Sequence, residues 1–170
     1  MIGKLIALAF TAIMLGGCML QSRLPLYDDT SSELALGAIG GKTRTANMKK
    51  GKWLVDDETV KVTVVGRHYE ISANAATIAV RFVKLEGPWH VIQAMETGKP
   101  AIFALAEIKN GIADLRVPGC VTLRKNPELA KWIEYAGDDC FIKPDAAKTE
   151  FFLALAKTAG EPTSRIEIIP

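Results

Sequence analysis

The side chains in this sequence that could carry chemistry are few and scattered. Cysteines stand at positions 18, 120 and 140, histidines at 68 and 90, and adjacent carboxylates at Asp56-Asp57 and Asp138-Asp139. A thiol serves as nucleophile, redox centre, metal ligand or disulfide partner, and its spacing separates these uses. Cys120 and Cys140 form no C-x-x-C pair, and neither His68 nor His90 is near them in sequence. A redox couple, an activated thiol and a zinc site therefore all lack their pattern. Neither a Gly-x-Ser-x-Gly elbow nor an H-E-x-x-H motif occurs. His90, between Trp89 and Val91 on a strand-like run, can point into a barrel mouth or to solvent, whereas His68 sits by a turn. The carboxylate pairs are turn residues. No metal or cofactor is expected, and the chain reads as non-enzymatic.

Cys18 has a different setting. Lys4 is the only charge in the first eighteen residues, and an uninterrupted apolar run follows from Leu5 to Leu15. A positive start, a short apolar core and small residues before a cut site describe a secretory signal peptide over residues 1–17. Apolar character persists only to Leu20, short of the roughly 20 residues that span a bilayer. Leu15-Gly16-Gly17-Cys18 resembles the lipobox of bacterial lipoproteins. The resemblance implies a diacylglycerol on the Cys18 sulfur, cleavage just before it and acylation of the new amino group. It also implies the outer membrane, facing the periplasm, because Met19 rather than aspartate follows the cysteine. One acyl chain holds a protein only marginally; two or more hold it firmly.

With Cys18 lipidated, Cys120 and Cys140 are left in an oxidising compartment and pair as a structural disulfide. A bridge closing about 20 residues stabilises by about 3 kcal/mol on the chain-entropy model. Once Lys4 leaves with the signal, 20 basic side chains face 19 acidic ones. That balance argues against nucleic acid as a partner. The expected partners are the membrane, through the lipid, and other envelope proteins. Residues 18–50 read as a lipidated terminus and polar tether, and 51–170 as one domain. Within the tether "GAIGGKT" (37–43) imitates a phosphate loop, but Leu36 stands where the first glycine is needed and no apolar strand precedes it.

From Trp53 the pattern alternates with period two, as in "VKVTV", "HYEIS", "TIAVRFVKL", "WHVIQAM", "AIFALAEI" and "IADLRV". Turns separate the runs at Asp56-Asp57-Glu58, Gly66, Asn74, Glu86-Gly87-Pro88, Gly98-Lys99-Pro100 and Asn110-Gly111. Asn-Gly between alternating runs is the strongest short hairpin signal, since both residues tolerate positive φ. After Cys120, Asn126-Pro127-Glu128 reads as a helix start, with Leu129, Trp132, Ile133 and Ala136 on one face and Gly137 as the stop. A second helix follows Pro144-Asp145, carrying Phe151, Phe152 and Leu155, and "RIEII" (165–169) closes as a strand. The expected class is α+β: mainly an antiparallel β-meander or small barrel, with two C-terminal helices and a disulfide across the first.

Gly51-Lys52-Trp53, opening the first of these strands, resembles the Gly-x-Trp signature of lipocalins. That resemblance implies an up-and-down barrel and a small apolar ligand; Trp53, and His90 from its place on a strand, are the expected pocket residues. The leading expectation is a non-catalytic, periplasm-facing envelope lipoprotein that binds or scaffolds; a lipocalin-like carrier is the alternative, and a periplasmic enzyme with a scattered site comes last.

Overall fold

A computed structural model describes residues 19–56, 59–73, 76–144, 146 and 148–169. The signal segment 1–17 and Cys18 lie outside these residues, as do Asp57, Glu58, Asn74 and Asp145 of the expected turns. In chain order come β1 (Leu20–Ser22), β2 (Gly41–Lys49), β3 (Lys52–Val55), β4 (Lys61–Val65), β5 (His68–Ala73), β6 (Ala76–Lys84), β7 (Trp89–Glu96), β8 (Ala101–Lys109) and β9 (Ile112–Arg116). Then follow α1 (Cys120–Arg124), α2 (Pro127–Ala130), β10 (Ile133–Ala136), β11 (Asp139–Ile142), α3 (Lys148–Lys157) and β12 (Ser164–Ile169).

Eight strands close into an antiparallel barrel in the order β8-β7-β6-β5-β4-β2-β12-β9, with β9 pairing back onto β8. Closure removes the free edges that an open meander would leave. Turn chemistry sets the register locally. Asn110 (φ 52°) and Gly111 (φ 75°) make the tight reversal that pairs Lys109 with Ile112, as Asn-Gly predicts. Lys50 (φ 50°) and Gly51 (φ 74°) do the same between β2 and β3. Strand alternation puts Val62, Tyr69, Ile71, Val80, Phe82 and Ile92 into the barrel interior.

β7, β8 and the end of β6 are buried on both faces because they separate two cores. Their outer face carries Val83, Val91, Phe103 and Leu105 and is covered by the helices and by β1, β10 and β11. β8 forks: Ala101 and Ile102 pair with β1, whereas Leu105 to Lys109 pair with β9. β1 in turn pairs in parallel with β11, which pairs with β10. The Cys120–Cys140 disulfide, with Cα atoms 5.6 Å apart, ties α1 to β11 beside β1.

Two expectations change. The first C-terminal helix ends after one turn. Asn126 caps it, its side chain accepting from the Glu128 N–H at 3.1 Å, and Pro127 occupies its first position. Ile133–Ala136 then run as a strand against β11, turned by Gly137 at φ 63°. The apolar positions read as one helical face serve the strand as well, and Ile133 is buried in it. Helix content is accordingly low.

Residues 19–50 are not a tether. Leu20 is fully buried in β1, and β2 is a barrel strand. Between them the chain crosses the outer wall and packs Leu34, Ala35 and Leu36 against the barrel core. Gln93, itself fully buried, holds this crossing. Its Oε1 accepts from the N–H groups of Leu26 (2.7 Å) and Tyr27 (3.0 Å), and its Nε2 donates to the Tyr27 carbonyl (2.8 Å). Gln93→Leu keeps the volume but strands those backbone groups, at about 1–3 kcal/mol for each one left unsatisfied. It should lower the urea midpoint and speed limited proteolysis between residues 23 and 37. Unchanged cleavage in that segment would refute the clamp.

Candidate functional site

A concavity opens outside the barrel, where α1, α2 and the end of α3 meet β8 and β9. It is a half-open groove of about 470 Å³, within the range of small-ligand sites. Leu105, Leu123, Leu129 and Leu155 supply apolar lining, and Arg116, Lys125 and Glu161 add charge. Arg116 is committed to shaping the wall. Its Nε donates to the Gly160 carbonyl (2.7 Å), its Nη2 to Glu107 Oε2 (3.1 Å), and its guanidinium stacks 4.8 Å from the Trp89 ring centroid. Lys109 and then Arg116 beside Glu107 hold that carboxyl below the ordinary range. Lys125 is exposed on the opposite wall.

The barrel interior is filled. Its cavity is about 30 Å³, lined by residues such as Leu36, Tyr69, Phe82 and Ile92, close to the space of a single water. Tyr69 spans the end of this core. Its hydroxyl donates to the Gly37 carbonyl (2.8 Å) and accepts from the Leu36 N–H (2.9 Å), so the capping segment is held by its main chain.

Both histidines meet carboxylates from the N-terminal crossing. His68 Nδ1 lies 3.0 Å from Asp29 Oδ1, which also accepts from Arg81 Nε at 2.9 Å. Burial opposes ionisation of Asp29, but the hydrogen bonds from His68 and Arg81 outweigh it and hold the carboxyl below its usual value. Arg81 Nη1 is buried without a partner. His90 Nε2 lies 2.6 Å from Glu33 Oε1, and its Nδ1 faces the Pro88 carbonyl at 3.1 Å. Carboxylate and carbonyl are both acceptors, so both nitrogens of His90 are engaged. Neither ring lines the groove or the barrel cavity. The pairs fasten the crossing segment to the wall.

Trp53 sits on β3, outside the barrel interior, with the Arg165 guanidinium 4.5 Å from its ring centroid. Arg165 is fixed by Asp114 through contacts of 2.6 and 2.9 Å. The structure thus separates Trp53 from His90 and puts neither in the groove. In "GAIGGKT", Gly40 serves packing, since an added Cβ would lie 2.8 Å from the Val62 carbonyl oxygen. Among the described residues no cluster of three His, Cys, Asp or Glu side chains is placed to hold a metal. Asp29, Glu33 and Gln93 escaped the sequence reading because each partner lies dozens of residues away, with no local pattern to mark it. Comparison with known protein families, curated proteins and solved structures finds no match to this chain.

Proposed function

We propose that this protein is a lipid-anchored, non-catalytic envelope protein, a binding or scaffolding module that faces the periplasm from the outer membrane. The observation that carries the reading is the division of its cysteines. Cys120 and Cys140 are bridged and buried, which suits an oxidising compartment and leaves Cys18, at the end of the signal-like segment, as the thiol for lipid. The barrel favours an aqueous setting. Its interior is apolar, while charged pairs such as Arg44–Glu167 and Arg165–Asp114 lie on its outer face; a membrane barrel has the reverse pattern.

The closed barrel is compatible with a lipocalin-like carrier. That reading needs an interior space of several hundred Å³, against the 30 Å³ present. The outer groove is the better binding site, and neither carboxylate-held histidine lines it.

Cys18→Ser should abolish acylation, because no other atom near the signal end takes a diacylglycerol. Metabolic labelling with palmitate checks it: incorporation should vanish in the variant. Equal labelling of variant and wild type would defeat the anchor, whereas wild-type protein found in the inner membrane would defeat only its sorting.

A further inference from the structure

The chain has no spacer between its anchor residue and its folded domain. Met19 is already 8 % exposed and bridges Gly119, and Leu20 is fully buried and paired with Cys140. The Met19 carbonyl oxygen lies 3.6 and 3.7 Å from the two bridged sulfurs. A disulfide has no S–H to donate, so these are packing contacts; they place the bridge directly against the entering strand. One peptide step, about 3.8 Å between Cα atoms, therefore separates a lipid-bearing residue 18 from a buried one. A flexible linker of n residues would give about 5–6 Å × √n of slack. Here that slack is absent.

We propose that α1 and the Gly137–Asp139 turn, which flank Met19, form a bilayer-facing surface held flush on the lipid headgroups by a spacer of zero residues. The inference rests on the lipid-anchor reading above. Val121 on α1 is 61 % exposed and offers an apolar contact at the headgroup boundary. Arg124 and Lys125 are exposed beside it, while Asp138 is exposed on the turn. With half-buried Asp139 on the same turn, two acidic side chains balance the two basic ones, so covalent geometry sets the orientation and salt should not change it. The far side is β4, four strands from β8 around the barrel, with Thr63 exposed on its outer face. Gly119 and Lys125 also line the groove, which puts its α1 wall at headgroup level.

The test uses full-length acylated protein in vesicles of phosphatidylethanolamine and phosphatidylglycerol. Lys125→Cys, Asp138→Cys and Thr63→Cys each carry a bimane, and lipid-borne nitroxides quench it. Quenching at 125 and 138 should exceed that at 63 several-fold, persist at high salt, and collapse when a long Gly/Ser segment is inserted between residues 18 and 19. An acylated protein with equal quenching at all three positions would overturn the seating alone. Intact mass showing no acyl chains would overturn the anchor and the seating together.

Discussion

The Cys120→Ser/Cys140→Ser domain should melt roughly 6–12 °C below wild type. The bridge spans a sequence separation of 20, for which lost unfolded-state entropy amounts to about 3 kcal/mol. A domain of this size shifts by about 2–4 °C per kcal/mol. Both half-cystines are buried, at 2 % and 0 % exposure, so reductant reaches the bridge only as the domain opens. The bridge also joins the two segments that enclose β1: Met19 bridges Gly119 on one side, and Leu20 pairs with Cys140 on the other. Its loss should free that strand first. Thermal melts by circular dichroism test this, with hydrogen exchange at Leu20–Ser22 as the local readout. Wild type unfolded and refolded in reductant should match the double variant, while reductant should leave the variant unchanged. Equal melting temperatures for the two proteins would remove the staple from the account of stability.

Phe152→Ala should cost about 3–5 kcal/mol, the range for deleting a fully buried aromatic ring. Against a total of about 5–15 kcal/mol, that leaves a marginal fold. Phe152 is fully buried on α3, and its ring centroid lies 5.0 Å from Phe151, 5.7 Å from Phe103 and 6.2 Å from Tyr27. It therefore joins the helix, the barrel's outer wall and the N-terminal crossing in one contact set. The Tyr27 phenol provides a second measurement. Burial raises it from 10.0 to about 12. The folded state keeps a proton there that the unfolded chain has lost, so wild-type stability should be intact below pH 10 and fall as pH rises toward 12. In Phe152→Ala, water entering beside Tyr27 should bring its ultraviolet titration back toward the ordinary value. A loss below about 1 kcal/mol in urea melts, with the Tyr27 titration unmoved, would show that the outer core does not depend on this ring.

Local chemistry was enough for much of the fold. Asn110-Gly111 specified a hairpin because both residues tolerate positive φ, and the alternation in Lys61–Val65 and Ile112–Arg116 specified strands because side chains point to opposite faces in turn. Asn126-Pro127 marked a helix start, and the apolar face around Phe151 and Phe152 marked α3, for reasons contained within a few residues. The pairing of Cys120 with Cys140 followed from their spacing, which fits neither a redox couple nor a metal site, and from the expectation of an oxidising compartment.

Other features needed the folded chain. β2 was invisible as a strand because its inward positions are Thr43 and Thr45, paired with Ile168 and Ile166; polar side chains erase the alternation, and Thr43 is satisfied only by Val60 across the sheet. Ile133–Ala136 fit a helical face and a strand equally well, and pairing with β11, which the disulfide and β1 hold in place, decided for the strand. The stretch before β2 looked like a tether because its polar groups have no partners nearby in sequence. Asp29, Glu33 and the backbone at Leu26 and Tyr27 find them at His68, His90 and Gln93. Period and turn signals reach only a few residues along the chain. Barrel closure, the filled interior and the outer groove depend on contacts between distant segments, and those exist only once the two cores have packed.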